Sequence, residues 1–135
     1  MDTFKELAGL HVTIDQIVYA PELPSPPTEP HSFVYFISIR NNSDTTVTIK
    51  GRKWVVTDAD GQITAVEGDG VVGEFPTIPP GDRFCYNSRH VLATKTGAAE
   101  GSYIGLDERG ERIIVRIPKF FMSVDDSPRS NLNVA

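Results

Sequence analysis

The chain is poor in the residues that would announce a staple, a metal or a membrane. Its 135 residues hold one cysteine, Cys85, so no intramolecular disulfide can form and an oxidising compartment is not indicated. Three histidines and that cysteine are scattered too widely for a metal-site spacing. No run of about 18 apolar residues exists, which leaves no candidate membrane span. The opening stretch MDTFKELAGL has an acid at position 2 and no apolar core, so it does not read as a secretory signal. Positive charge is also in deficit. Thirteen Lys and Arg against 18 Asp and Glu give a net charge of −5, the wrong sign for a nucleic-acid scaffold, although a local basic patch is compatible with it. A cytoplasmic location is expected. Long stretches of helical periodicity are missing as well, and only residues 2–9, with Thr3 and Glu6 spaced as a capping box and Gly9 as a stop, could form a helical turn.

What is present is alternation. In LHVTIDQIVY, Leu10, Val12 and Ile14 alternate with polar residues. The phase then slips near Gln16, so that Ile17 and Tyr19 take over the apolar side, as a β-bulge would require. APELPSPPTEP carries five of the ten prolines and cannot be helix or central strand; it reads as an extended connection, or as a ligand for an aromatic-lined groove. HSFVYFISIRN is the clearest strand, with Phe33, Tyr35, Ile37 and Ile39 on one face and Val34, Phe36, Ser38 and Arg40 on the other. Turn signals follow at NNSD (41–44), DADG (58–61) and PPGD (79–82), with β-branched runs between them. RFCYNS, AEGSYIGLD and ERIIVRIPKFFMSV supply closing strands. The last residues, DDSPRSNLNVA, lack periodicity and read as a loose tail. Short strands with turns about every ten residues indicate an all-β sandwich or barrel. The expected division is an N-terminal segment over 1–9, one β domain over 10–124 and the tail over 125–135.

One string invites a specific chemistry. In EGDGVVGEFP, Gly68, Gly70 and Gly73 have the G-x-G-x-x-G spacing of dinucleotide-binding turns. That fingerprint works only where a helix N-terminus follows to receive the pyrophosphate. Here EFPTIPPGD follows, and its prolines forbid the helix. Three readings stand. The glycines shape a bent backbone. Alternatively, successive N–H groups form a helix-free nest for phosphate, with Asp69 opposing it. Or the loop is a partner surface exposing Val71, Val72 and Phe75.

The strings FVYFISIRNNS, RKWVVTDADG, VEGDGVVGEFPTIPPGDRFCYNS and GSYIG resemble, in order, the blocks of the ApaG domain family, over about residues 10–124. Two departures are Ala99, where the family usually has methionine, and Arg89 after Ser88, where it tends to have glycine. The resemblance implies an immunoglobulin or fibronectin type III-like β-sandwich of about 7–9 short antiparallel strands. It also implies a link by name to cobalt and magnesium efflux, and, through relatives inside F-box proteins and a polymerase-interacting protein, a protein-binding role. The family's glycine motif is associated with pyrophosphate-like groups, which maps tentatively onto Gly68, Gly70 and Gly73 as ligand-binding residues.

The remaining candidates favour structure over chemistry. Cys85 reads as a small core or half-core residue, and His90, though close in sequence to Ser88 and Cys85, has no evident orienting acid. Asp58 and Asp60 read as turn formers, without the further ligands of a calcium loop. Trp54 reads as core, with the Arg52 stem packed beside it. The function expected is a non-catalytic binding module for an unidentified protein partner, with no catalytic residue, metal or cofactor, and no nucleic-acid or membrane partner. The alternative is a phosphate, pyrophosphate or nucleotide-binding protein using the glycine loop, hydrolytic or not. Oligomeric state is left open, a homodimer included.

Overall fold

The computed structural model describes residues 3–130. Within them the chain forms nine strands: β1 (Lys5–Glu6), β2 (Leu10–Tyr19), β3 (His31–Asn41), β4 (Val47–Asp58), β5 (Ile63–Asp69), β6 (Thr77–Ile78), β7 (Arg83–Leu92), β8 (Thr96–Asp107) and β9 (Arg112–Ser123). Six of them form one sheet in the order β1-β9-β8-β4-β5, with β6 pairing β4 beyond the end of β5; β2-β3-β7 form the other. Every pairing is antiparallel except β1 with β9. The two sheets stack as a sandwich, with β2 over β9.

The alternation read in β3 sets the core. Phe33, Tyr35, Ile37 and Ile39 are buried and meet Trp54, Tyr103, Ile113 and Ile117 of the larger sheet. Trp54, 2% exposed, is a core residue as expected. The phase slip near Gln16 is a bulge between Ile14 and Gln16, which leaves Asp15 unpaired. A second slip, between Ala99 and Gly101 of β8, lies opposite Pro118. A proline has no N–H for the ladder, so an irregularity is where a strand can hold one.

Three expectations need correction. Lys5 and Glu6 are strand, paired with Ile113 and Ile114, and not a helical turn; residue 2 lies outside the described residues. One turn of helix fixes several dihedrals for a single hydrogen bond. The extended form instead gains a ladder, an ion pair from Lys5 Nζ to Asp107 at 3.2 Å, and a bond from Arg116 Nε to the Glu6 carboxylate at 3.1 Å. The tail is docked as far as it is described. Tyr19 N donates to Pro128 O at 2.8 Å, and Ser130 N donates to Tyr19 O at 3.0 Å; residues 131–135 lie outside the described residues. Cys85 is exposed, because Phe84 and Tyr86 take the inward positions of β7 and leave it on the outer face.

Candidate functional site

β5 ends at Asp69, and the chain then makes a tight hairpin before β6. Val71 N donates to Glu74 O at 2.8 Å and Glu74 N returns the bond to Val71 O at 2.9 Å. The two residues between them, Val72 and Gly73, both have positive φ, +43° and +81°. This is the pattern of a type I′ turn, whose twist matches that of paired strands and whose usual residues are Asn, Asp and Gly. Valine is foreign to it, because a branched Cβ crowds the backbone in the left-handed region.

The three glycines have separate jobs. Gly68 lies opposite Arg52 in the β4–β5 ladder, and a Cβ there would come 2.8 Å from Arg52 Nη2. Its missing side chain is the space in which the guanidinium lies. From there Arg52 Nη1 donates to Asp69 O at 2.7 Å and Gly70 O at 3.2 Å, clamping the base of the hairpin. Gly70 has φ +62°, and a Cβ on it would be driven into the Glu74 carbonyl oxygen. Gly73 has open space around it and supplies only its φ. Sequence reasoning placed Arg52 beside Trp54; its reach to the hairpin was not visible there.

Of the three residues that the partner-surface reading exposes, Val71 is buried in the core, whereas Val72 is 49% and Phe75 53% exposed. Lys50 Nζ stands 5.6 Å from the Phe75 ring centre. An open groove of about 610 Å³ leads from the hairpin base across the outer face of the large sheet, lined among others by Lys50, Asp69, Ile104, Ile114 and Phe4. The backbone donors that a phosphate nest would need are largely committed. Gly70 N donates to Lys50 O at 2.8 Å, and the Val71 and Glu74 amides close the turn. The carboxylates of Asp69 and Glu74 lie on the same exposed segment.

The other candidates do not converge. His90 turns inward, stacked on Tyr35 at 4.8 Å and edge-on to Trp54 at 4.6 Å between ring centres, while Cys85 faces out from the same strand, so the two form no base–nucleophile pair. Burial pushes the His90 imidazole down to about 4, so it is neutral at pH 7. Neither His90 Nε2 nor Trp54 Nε1 has a hydrogen-bond partner. Tyr86 and Tyr103 join hydroxyls in the interior, and burial pushes both phenols up. Cys85 has a neighbour that the sequence did not reveal. Its Sγ is 3.2 Å from Ser38 Oγ, which donates to the Asp15 carboxylate. Ser38 has one proton and spends it on Asp15, so the thiol is the donor in the first contact. The Ser38 hydroxyl bonded to Asp15, and bonding from Thr13, hold the Asp15 carboxyl below the usual range against the opposing effect of burial. Asp58 and Asp60 are turn residues: Gly61 N donates to Asp58 O and Gln62 N to Asp60 Oδ1, while the Asp58 carboxylate accepts from Ala93 N and Thr94 Oγ1 of the neighbouring turn. Among the described residues no group of three His, Cys, Asp or Glu could hold a metal ion, and no helix is long and apolar enough to cross a membrane.

Residues 21–106, which hold the glycine hairpin and its Arg52 clamp, match the ApaG domain family. The chain belongs to that family. It is 43% identical to Protein ApaG of Acidithiobacillus ferrooxidans over 102 residues, covering 76% of this chain and 80% of the relative. It is also 43% identical to Protein ApaG of Vibrio cholerae over 109 residues, 81% and 86% of the two. The solved structure of the putative ApaA protein from Bordetella pertussis superposes with a TM-score of 0.79 at 30% identity, over 95% of this chain and all of that one. This similarity bears out both the family resemblance and the β-sandwich expected from it.

Proposed function

We propose that the protein is a non-catalytic binding module of the cytosol, and that it recognises a protein partner through the tip of the hairpin at Val72 and Phe75. The observation that carries this reading is Val72. A β-branched residue at φ +43° costs about 1–2 kcal/mol, and its half-exposed side chain recovers little of that by packing. Strain kept at an exposed apolar tip suits a surface whose benefit comes on binding. Phe75 beside it adds an aromatic anchor of the kind that dominates protein interfaces, and the Arg52 clamp holds the pair in place before a partner arrives. The exposed free thiol of Cys85 fits a reducing compartment.

The test uses the protein as bait in lysate beside the double variant Val72→Asn, Phe75→Ser. Asparagine tolerates the left-handed region, so the variant folds. Proteins retained by the parent and lost by the variant are the expected result; an identical set from both would refute the assignment.

A further inference from the structure

The outer face of the three-stranded sheet is built unlike the rest of the surface. Its rows follow from register: His11, Arg40 and Arg83; Thr13, Ser38 and Cys85; Gln16, Phe36 and Asn87; Val18, Val34 and Arg89. In the last two rows Val18, Val34 and Phe36 give an apolar floor. With Leu23 from the proline-rich connection and Arg129 from the docked tail, Gln16, Val18, Val34, Phe36 and Asn87 line a groove of about 660 Å³, and Arg89 stands beside it in register with Val34. Gln16, Phe36 and Asn87 also line a second groove of about 370 Å³ reaching Cys85, so the two are continuous.

The arginines around this floor make no ion pair, although two carboxylates lie close by: Asp15 in the wall of the second groove, and Glu22, which accepts from Ser130 Oγ at the end of the first. Arg89 reaches Ser32 Oγ at 3.3 Å, Arg129 lies over the Tyr19 ring at 5.3 Å, and Arg40 Nε donates to Thr13 Oγ1 at 3.2 Å. Among the described residues no carboxylate lies within ion-pair distance of Arg40, Arg83, Arg89 or Arg129. Asp15, the acid of this face, is engaged by Ser38 and Thr13. On the larger sheet four bases are matched, Lys5 with Asp107 and Glu111, Lys53 with Glu67, Arg116 with Glu6 and Lys119 with Glu100, while Lys50 lies over the Phe75 ring and Arg52 binds backbone carbonyls. A chain of net charge −5 thus gathers unpaired guanidinium groups around one apolar strip.

We infer that this face is a docking surface for an extended, acidic segment of another protein, with apolar residues alternating among its carboxylates. From the Arg83 row to the Arg89 row the face spans roughly 20 Å at about 3.3 Å per residue, the length of six or seven extended residues. Such a segment places every second side chain down on Val34 and Phe36 and holds its carboxylates on the opposite side, where the long arginine side chains of the rim rise to meet them. There the planar, weakly hydrated guanidinium groups bind them two bonds at a time. A nucleic acid fits less well. The floor offers one aromatic ring where a single strand needs several for stacking, and the net negative charge of the chain repels a long polyanion more than a short segment.

The probe is a synthetic peptide of alternating glutamate and leucine, titrated into the ¹⁵N-labelled protein and followed by NMR. Amide shifts should concentrate at residues 16–18, 34–36 and 87–89. Arg89→Glu with Arg129→Glu should weaken binding about tenfold or more, since each reversal turns an attraction into a repulsion. Both side chains are exposed, and a retained dispersed spectrum reports an intact fold; added salt weakens the parent complex in the same direction without any substitution. A peptide of alternating lysine and leucine should give no shifts. No response to the acidic peptide, an equal response to the basic one, shifts confined to residues 70–75, or a single-stranded oligonucleotide binding this face in preference to the peptide would each overturn the inference.

Discussion

Two tight turns end the two sides of β5, and they treat their central residues differently. Before β5, the 58–61 turn uses the residues its geometry wants. Gly61 takes φ +87° with open space around it, its N–H closes onto Asp58 O at 2.9 Å, and the Asp58 and Asp60 side chains bind nearby donors. After β5, the 70–75 hairpin puts valine where asparagine or glycine belongs and fills its inner side so closely that Gly70 cannot carry a Cβ. The first turn reverses the chain without strain and is tied to the neighbouring turn at Ala93 and Thr94. The second reverses it under strain while holding Val72 and Phe75 outward, and the difference points to a use for that strain.

The largest test of the contrast is a pair of alanines. Gly70→Ala meets both an unfavourable φ and a backbone oxygen, and should cost about 3 kcal/mol or more in denaturant unfolding; Gly61→Ala meets only the φ and should cost about 1. Equal losses would erase the distinction between a packed turn and an open one. Acid should act on the core beneath both turns and not on either of them. The His90 imidazole is lowered in the folded state to about 4 from its usual value near 6.5, so the unfolded chain binds the extra proton. Stability is therefore full above about pH 6.5 and falls toward pH 4, by at most about 3 kcal/mol. His90→Phe should flatten that slope. A slope that instead followed substitutions in the hairpin would move the acid sensitivity out of the core. Val72→Asn should raise stability by about 1 kcal/mol through relief of the left-handed valine, read as a higher urea midpoint with an unchanged slope. A lower midpoint would show that the valine is not strained. The smallest expected effect is that of pyrophosphate, which should leave the melting temperature of the parent unmoved. A ligand at 100 times its dissociation constant would add about 2.7 kcal/mol, and such a shift, lost in Gly70→Ala, would turn the hairpin into an anion site.

The sandwich was legible in the sequence because its core strands alternate cleanly. β3 shows both faces, and the slip at Gln16 marks a bulge that is present. β1 and the docked tail were not legible, since each is held chiefly by backbone donors of a neighbouring strand, and backbone bonding leaves no periodic trace in side chains. At the candidate site, the glycines could be read as turn formers, but their distinct causes could not. Gly68 depends on where a guanidinium from another strand comes to rest, and Gly70 on a carbonyl four residues ahead. The inward turn of Val71 and the left-handed φ of Val72 were hidden for the opposite reason: valine propensity argues for extended backbone, and the closure of the hairpin overrides it. The Asp15–Ser38–Cys85 chain crosses three strands, and its parts are distant in sequence.

The parallel pairing of β1 carries a practical consequence for handling the protein. β9 is a long strand, and the edge it turns away from β8 is covered by Lys5 and Glu6 only at Ile113 and Ile114. Further along, Arg116, Pro118 and Lys119 interrupt that edge with charge and a missing N–H, the usual protection of a strand against strange company. The apolar stretch at Ile113 and Ile114 has no such guard of its own. A fusion or cleavage site that removes or redirects the first six residues would therefore bare the part of β9 most able to recruit another chain. Colloidal solubility would suffer before the melting temperature did.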